Sequence, residues 1–220
     1  MKTPQLKTRD RIVETALRLF NQHGYGAVST AALASACGIA EGNLWYHFKT
    51  RAALLDAISQ RFAAAIEARL ALRPGGDPVR DYAALLEAVM AEFRAFRFLY
   101  RDQQAYGEEA AIIRDNAPRW LIATFDQIEA HLAALVGAGL LDWPAERLRD
   151  LAINATIVLR YGLEHYRELG EPIGEGAGAV RRTLLRHLTL FEHRLDEAAA
   201  ARLHRAIEAI EAVEDGALAA

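Results

Sequence analysis

A single cysteine, six prolines and no long uncharged apolar run set the first limits on this chain of 220 residues. Cys37 alone cannot form an internal disulfide or join other cysteines in a zinc site. Such sparing use of cysteine is typical of a reducing compartment, so we predict a cytoplasmic protein. No stretch approaches the roughly 18 uncharged apolar residues of a transmembrane helix. No apolar run follows Met1 and Lys2, so a signal peptide is not expected either.

The sequence also lacks the alternating pattern of β-strands and any internal repeat. Alanine, leucine, glutamate and arginine dominate it, and all four favour helices. With 52% hydrophobic and 25% charged residues, the composition is that of a globular protein with a sizeable core. We predict an all-α chain of about nine or ten helices.

Acidic charge is in slight excess, and the net charge of -3 alone would argue against a nucleic-acid-binding protein. The distribution of charge matters more. Residues 1–51 carry seven basic and three acidic side chains, a net +4, so the rest of the chain carries -7. A basic head on an acidic body is typical of a protein whose N-terminal part alone meets phosphate.

Residues 8–55 have the spacing of a helix-turn-helix head. A first amphipathic helix over 6–23 ends at Gly24, in the position of a C-cap glycine. A short helix over 29–37 follows, capped by its opening serine or threonine, and Gly38 supplies the tight turn. A second short helix over 40–46 completes the motif. The spacing of four apolar side chains predicts that they pin the two short helices against the first: Leu33, Ile39, Leu44 and Phe48.

The second short helix leaves its other side chains on an outer face. Such a helix can enter a major groove with its N-terminal residues toward the base edges, and basic residues follow it where phosphate would lie. Asn43 suits adenine, because its amide can both donate and accept. The outer residues are Glu41, Gly42, Asn43, Trp45, Tyr46 and His47, followed by Lys49 and Arg51.

This segment closely resembles the TetR family of bacterial transcriptional regulators over about residues 8–60. The remainder resembles that family in length and helical character. The matching residues are Ile12, Ala16, Leu19, Phe20, Gly24, Thr30, Leu33, Ala34, Gly38 and Ile39, then Leu44-Trp45-Tyr46-His47-Phe48-Lys49-Thr50-Arg51 with Leu54-Leu55.

The resemblance implies a role for each position of the head. It places phosphate contacts at the start of the first short helix, base reading at the start of the second, and backbone contacts after that. The sequence departs from the family at Ala31, Ala40 and Trp45. Ala31 and Gly42 offer no side-chain hydrogen bonds, which leaves few side chains to read bases. The implied DNA-contacting residues are Ser29, Thr30, Ala31, Glu41, Gly42, Asn43, Trp45, Tyr46, His47, Lys49 and Arg51.

Beyond the head, the positions of glycine and proline predict where the remaining helices begin and end. Thr50 can cap a helix that runs to Leu72 and joins the head to the body. A movement of the body would be transmitted to the head through this helix. Breaks at residues 73–78, 137–139 and 170–178 separate later helices. Gly107 and Pro118 are expected to flank a shorter helical piece, and Pro144 is expected to begin a helix. We predict helices over 79–98, 119–136, 144–169 and 179–214, the last broken near Leu195 or Asp196. The predicted domains are 1–52 for DNA binding and 53–220 for effector binding and dimerisation.

Aromatic residues are concentrated around residues 93–125, and two interpretations remain open. They could line an effector pocket between helices, or they could form an ordinary core. Scattered His165, His187 and His193 do not form a metal site, and surface or dimer contacts are the favoured role for them. We predict no metal and no cofactor. The candidate effector-binding residues are Phe96, Tyr100, Tyr106, Trp120, Phe125 and Asn154.

In the family that this chain resembles, the last two long helices form a four-helix dimer interface, here 144–169 and 179–191. The leading hypothesis is a homodimeric, ligand-responsive repressor that binds a near-palindromic operator and is not an enzyme. The alternatives are a helical adaptor, or an enzyme, whose head no longer binds DNA specifically. No catalytic arrangement of residues supports the enzyme. The sequence identifies neither the effector nor the operator.

Overall fold

The computed structural model describes residues 8–210, which form α-helices and short 3-10 turns without a strand. The predicted all-α class is therefore confirmed. The predicted start of the first helix at Leu6 and the end of the last at residue 214 lie outside the described residues. The helices are α1 (Thr8–His23), α2 (Thr30–Ala36), α3 (Glu41–His47), α4 (Arg51–Leu70), α5 (Pro78–Ala95), α6 (Arg97–Arg101), α7 (Gln103–Tyr106), α8 (Ala111–Gly137), α9 (Leu148–Glu168), α10 (Ala179–Leu188) and α11 (Glu197–Ala209).

The local signals at several helix ends are confirmed. Gly24 follows α1 with φ +92°, and its N–H donates to the carbonyl of Phe20 at 2.9 Å. Thr50 caps α4, because its Oγ1 accepts from the N–H of Ala53 at 3.0 Å. Asp196 caps α11 in the same way, which confirms the predicted break there. These ends depend on groups a few residues apart, so the sequence alone identifies them.

Three predicted helix boundaries are wrong. The helix predicted over 79–98 ends at Ala95, because Phe96 leaves the helical region (φ -118°, ψ 28°) before α6 begins. Pro118 does not separate two helices and lies inside the 27-residue α8, which tolerates the lost N–H. Pro144 is extended and precedes a 3-10 turn at Ala145–Arg147, so α9 begins at Leu148. Just before it, Asp142 N–H donates to the carbonyl of Arg194 at 3.0 Å, which holds that segment extended.

The described residues divide into two compact units. The first contains 8–67 with Glu92–Pro118, and the second contains Ala68–Ala91 with 119–210. The division falls within α4, within α5 and after Pro118 in α8. The first unit thus includes a later segment besides the head. The predicted domain boundary at residue 52 stays a prediction.

In the first unit, the end of α1 is tied to the segment around α6. Asn21 Nδ2 donates to the carbonyl of Ala95 at 2.8 Å, and its Oδ1 accepts from the N–H of Phe98 at 2.9 Å. Arg101 donates to the carbonyls of Phe20 and Asn21 at 3.0 and 3.2 Å. The rings of Phe20 and Phe98 lie 5.2 Å apart in the buried core beneath these bonds. The head therefore packs on residues more than 70 positions later in the chain.

In the second unit, α9 and α10 cross closely at Gly162 and Thr183. A Cβ built on Gly162 would lie 2.5 Å from Thr183 Oγ1 and 2.9 Å from its Cβ, which is closer than real contacts allow. Gly162 is therefore required for the approach of the two helices.

His187 on α10 is wholly buried. The favoured surface or dimer role of His187 is therefore wrong.

A buried polar network joins the end of α4 to α8 within the second unit. Arg69 donates to Gln127 Oε1 at 2.7 Å and to Thr124 Oγ1 at 3.0 Å. Gln127 Nε2 donates back to the carbonyls of Arg69 and Leu72 at 2.6 and 3.1 Å. Arg69 lies in the last turn of α4 and Leu72 two residues after its end, so the Gln127 amide fixes the chain where this helix ends.

Candidate nucleic-acid interface

Helices α2 and α3 are joined by the predicted turn. Ser29 is the N-cap of α2, and its Oγ accepts from the N–H of Ala32 at 3.1 Å. Gly38 has φ +65°, a conformation that favours glycine, and its N–H donates to the carbonyl of Ser35 at 2.9 Å. The chain then turns directly into α3 at Glu41. The helix-turn-helix geometry is therefore confirmed.

The apolar side chains of the motif point inward. Leu33, Leu44 and Phe48 are buried, whereas Ile39 is half-buried at the turn. Cys37 is buried as well, as a small packing residue beside the turn. This packing sets the rotation of α3 about its axis and so decides which of its side chains face solvent.

Most of the predicted DNA-contacting residues lie on the exposed side of the motif. Tyr46 is the clearest, since 76% of its surface is exposed and its ring meets that of His47 edge-on at 5.3 Å. A large aromatic side chain so exposed does not serve the core of the monomer. The exposed members are Ser29, Ala31, Glu41, Gly42, Asn43, Tyr46 and Lys49, and the half-buried ones are Thr30, Trp45, His47 and Arg51.

One hydrogen bond joins the two helices on this exposed side. Thr30 Oγ1, at the first residue of α2, donates to Glu41 Oε1 at 2.8 Å, at the first residue of α3. Two residues eleven positions apart in the sequence therefore act as one polar group on the surface. Sequence reasoning placed both at the interface but did not pair them.

Arg51 is occupied within the protein. Its guanidinium donates to the carbonyl of Val28 at 2.5 Å and to that of Tyr25, and it lies 4.2 Å from the centre of the Tyr25 ring. Burial and a hydrogen bond to Glu109 raise the pKa of Tyr25 to about 12. These contacts favour a role for Arg51 in holding the loop before α2. Lys49, by contrast, is exposed.

Sequence reasoning missed the position of Arg9. This exposed residue of α1 places its guanidinium 4.7 Å from the centre of the Phe48 ring, just after the end of α3. Its charge was counted in the basic head. Its location beside α3 depends on how α1 packs, which no local pattern reveals.

The candidate effector-binding residues are divided between the two units. In the first unit, Phe96 and Tyr100 pack around Phe62, and Tyr106 is buried against Tyr25 with its hydroxyl donating to the carbonyl of Leu99 at 2.5 Å. These contacts are those of a core. In the second unit, Trp120 is buried, Phe125 is half-buried, and Asn154 is exposed on α9. Their role in effector binding stays a prediction.

Within residues 8–210, no group of three or more histidine, cysteine, aspartate or glutamate side chains could hold a metal ion. No helix in that range is long and apolar enough to cross a membrane.

Similarity to known proteins covers both parts of the chain. The sequence model described as "Bacterial regulatory proteins, tetR family" matches residues 12–58, and the one described as "Bacterial transcriptional repressor" matches residues 61–203. The HTH-type transcriptional regulator AcrR of Shigella flexneri is 26% identical over 164 residues, which are 70% of this chain and 74% of that protein. Other curated relatives align over shorter segments, such as 47 and 97 residues.

Solved structures share the fold. A TetR-family transcriptional regulator from Marinobacter aquaeolei VT8 superposes with a TM-score of 0.73 at 23% identity, covering 93% of this chain and 99% of that one. The structure of AibR in complex with isovaleryl coenzyme A and operator DNA gives a TM-score of 0.52 at 18% identity, covering 70% and 85%.

The second family match alone spans more than half of the chain, and it continues the first almost without a gap. The curated relatives are transcriptional regulators, which excludes the alternative of an enzyme. The α2–α3 helix-turn-helix lies within the segment that the first model matches. The chain belongs to the TetR family of bacterial transcriptional regulators, and it is a DNA-binding regulator.

Proposed function

We propose that this regulator is a homodimeric, effector-responsive repressor that binds a near-palindromic operator through α3 of each protomer. The observation that carries the proposal is the exposed α2–α3 face, on which Tyr46, Asn43 and Lys49 have no role in the core. Of the predicted set of eleven DNA-contacting residues, all but Arg51 are retained. Arg9 is added to it as a phosphate contact, and Arg51 acts by holding the loop before α2.

The dimer is supported by an exposed apolar face on α9. Ile157 and Tyr161 lie one turn apart and are 58% and 50% exposed, with Asn154 one turn before them. Large apolar side chains clustered on one helix face mark a surface that another protein covers. A second copy of α9 and α10 is the proposed cover, which gives the two-fold symmetry that a near-palindromic site requires.

Response to an effector is supported by the path of α4 and by the relatives. Helix α4 begins beside the head, and the Gln127 amide holds its last carbonyls. An effector that binds one conformation of the body more tightly would increase the population of that conformation. Through this helix, it would change the fraction of proteins whose heads can bind the operator. AibR was crystallised with isovaleryl coenzyme A and operator DNA. For this chain, we propose an effector of unspecified chemistry.

DNA binding is tested by fluorescence anisotropy with the full chain and its own upstream DNA, at several salt concentrations. We expect specific binding whose affinity falls steeply with salt. Replacing Tyr46 and His47 together by alanine should weaken binding while the circular dichroism spectrum is unchanged. If no sequence-specific binding appears at moderate salt, the repressor proposal fails and a helical adaptor is favoured.

The dimer is tested by analytical ultracentrifugation. The double variant Ile157→Glu with Tyr161→Glu should sediment as a monomer and lose operator affinity. Leu72→Glu, which also places a charge at an exposed leucine but outside α9, should remain a dimer. A dimeric double variant would contradict the proposed interface.

A further inference from the structure

We propose that Glu41 reads a base in each operator half-site, that it selects cytosine, and that Thr30 positions its carboxylate for this purpose. The inference rests on the proposed function, and it specifies which base one residue of the interface recognises. It begins from the hydrogen bond that joins the first residues of α2 and α3.

The geometry leaves one carboxylate oxygen available for DNA. Thr30 Oγ1 donates to Oε1 of Glu41 at 2.8 Å, and both residues lie on the solvent side of the motif. Within the described part of the chain, no basic side chain forms an ion pair with Glu41 and no donor reaches its Oε2. The bond to Thr30 restricts the rotamers of Glu41, so less conformational entropy is lost when Oε2 meets a partner.

The charge of Glu41 determines what that partner can be. A carboxylate held close to DNA is repelled by phosphate, and it stabilises the complex only where it accepts a hydrogen bond. Guanine and thymine present acceptor atoms in the major groove, which would repel Oε2. Adenine presents an amino donor beside the acceptor N7, whereas cytosine presents its N4 amino group without such a neighbour. Cytosine is therefore the base that best matches a carboxylate.

The neighbouring residues leave this role to Glu41. Gly42 has no side chain, and the amide of Asn43 matches adenine rather than cytosine. The single hydroxyl proton of Thr30 is donated to Glu41, so Thr30 cannot also donate to a base while it holds the carboxylate. Thr30 is a positioning residue in this arrangement.

The test is selection of binding sites from random DNA by the full chain, followed by affinity measurements on the selected site. The wild-type protein should select a half-site with cytosine at one position, and replacing that cytosine should weaken binding about 10-fold. For Glu41→Gln, the cytosine preference should be lost at that position alone, with the other selected bases unchanged. Glu87→Gln, which makes the same charge change at an exposed residue of α5, should select the wild-type site.

The positioning role has its own readout. Thr30→Val should reduce the penalty for replacing the cytosine to about 3-fold or less, and Thr30→Ser, which restores the hydroxyl, should recover the full penalty. A change in overall affinity without a change in this penalty would contradict the role of Thr30.

Two outcomes separate this inference from the proposed function. If Glu41→Gln selects the same site as wild type, or binds every sequence equally better, the carboxylate does not read a base and the inference is wrong while the repressor proposal stands. If the wild-type protein selects no sequence at all, the proposed function fails and this inference fails with it.

Discussion

The phenol oxygen of Tyr82 on α5 lies 2.7 Å from Nε2 of His187 on α10, and both side chains are wholly buried. Burial raises the pKa of Tyr82 and lowers the pKa of His187 from 6.5 to about 3. The folded protein therefore holds a neutral histidine in the core of its second unit. Within the described residues, His187 Nδ1 has no hydrogen-bond partner, so the imidazole gains nothing from being charged there.

The buried histidine predicts loss of stability in mild acid. Because the folded pKa lies below the unfolded value, the unfolded chain binds a proton that the folded chain does not between pH 6.5 and 3. The stabilisation is complete above pH 6.5 and is lost as the pH falls toward 3. Between pH 6 and 5, His187 should account for a loss of about 1 kcal/mol in the free energy of unfolding.

The measurement is urea denaturation across pH 4.5–7 for wild type and His187→Gln, which keeps a polar partner for Tyr82. The variant should show a flatter dependence on pH by that amount, with His131, whose pKa is also lowered by burial, accounting for part of the slope that remains. His193→Gln, at an exposed position, is the control and should follow wild type. Equal slopes for wild type and His187→Gln would contradict the prediction.

At Gly162, we expect replacement by alanine to destabilise the protein, the opposite of its usual effect in a helix. Alanine usually stabilises a helix interior relative to glycine by about 0.5–1 kcal/mol. At this crossing, the added Cβ meets Thr183, so Gly162→Ala should destabilise the protein by about 1–3 kcal/mol in thermal or urea unfolding.

A double-mutant cycle isolates the cause. In a Thr183→Ala background, the cost of Gly162→Ala should shrink by at least half, because the side chain it meets is gone. Gly137→Ala, at a helical glycine with open space around its Cβ position, should be neutral or stabilising. A cost of Gly162→Ala that persists in the Thr183→Ala background would show that another contact is responsible.

We expect the stability of the first unit to depend strongly on the side-chain amide of Asn21. Asn21→Ala leaves the carbonyl of Ala95 and the N–H of Phe98 without this partner, and should cost about 1–3 kcal/mol in urea denaturation. Asn21→Asp keeps the acceptor and loses the donor, so its cost should be smaller. The neighbouring exposed Gln22 is the control, since Gln22→Ala should be nearly neutral. Equal effects at positions 21 and 22 would be inconsistent with the tie between α1 and α6.

Lys49 and Arg51 are both basic, but we expect their replacement to have different effects. One should change DNA binding and the other should change stability. Lys49→Ala should leave the unfolding midpoint unchanged and reduce the slope of log affinity against log salt by about 1, as expected for a phosphate contact. Arg51→Ala removes the donors to Tyr25 and Val28 and should destabilise the head by about 1–3 kcal/mol.

Unfolding and DNA binding are measured on both variants. Arg51→Lys restores the charge without the planar fork and should recover little of the stability. If Lys49→Ala unfolds the head and Arg51→Ala does not, the assignment of the two side chains is reversed.

The features of the head that the sequence predicted correctly are local ones. The cap at Ser29, the turn at Gly38 and the inward spacing of Leu33, Leu44 and Phe48 were all evident in the sequence, because each depends on neighbours within one or two helical turns. The prolines at 118 and 144 misled the prediction, because a proline only disfavours one local hydrogen bond. Before α9, the bond from Asp142 N–H to the carbonyl of Arg194 holds the chain extended, and these two residues are far apart in the sequence.

The sequence by itself determined that the chain is helical, that its basic charge lies at the N-terminus and that residues 8–55 form a helix-turn-helix. Tertiary structure alone decided that Thr30 holds Glu41, that Arg51 binds inward while Lys49 faces solvent, and that Asn21 ties α1 to a segment 77 residues later. Helix propensity and capping act between near neighbours. Hydrogen bonds between distant segments form only after packing has brought their helices together, so no local pattern specifies their partners.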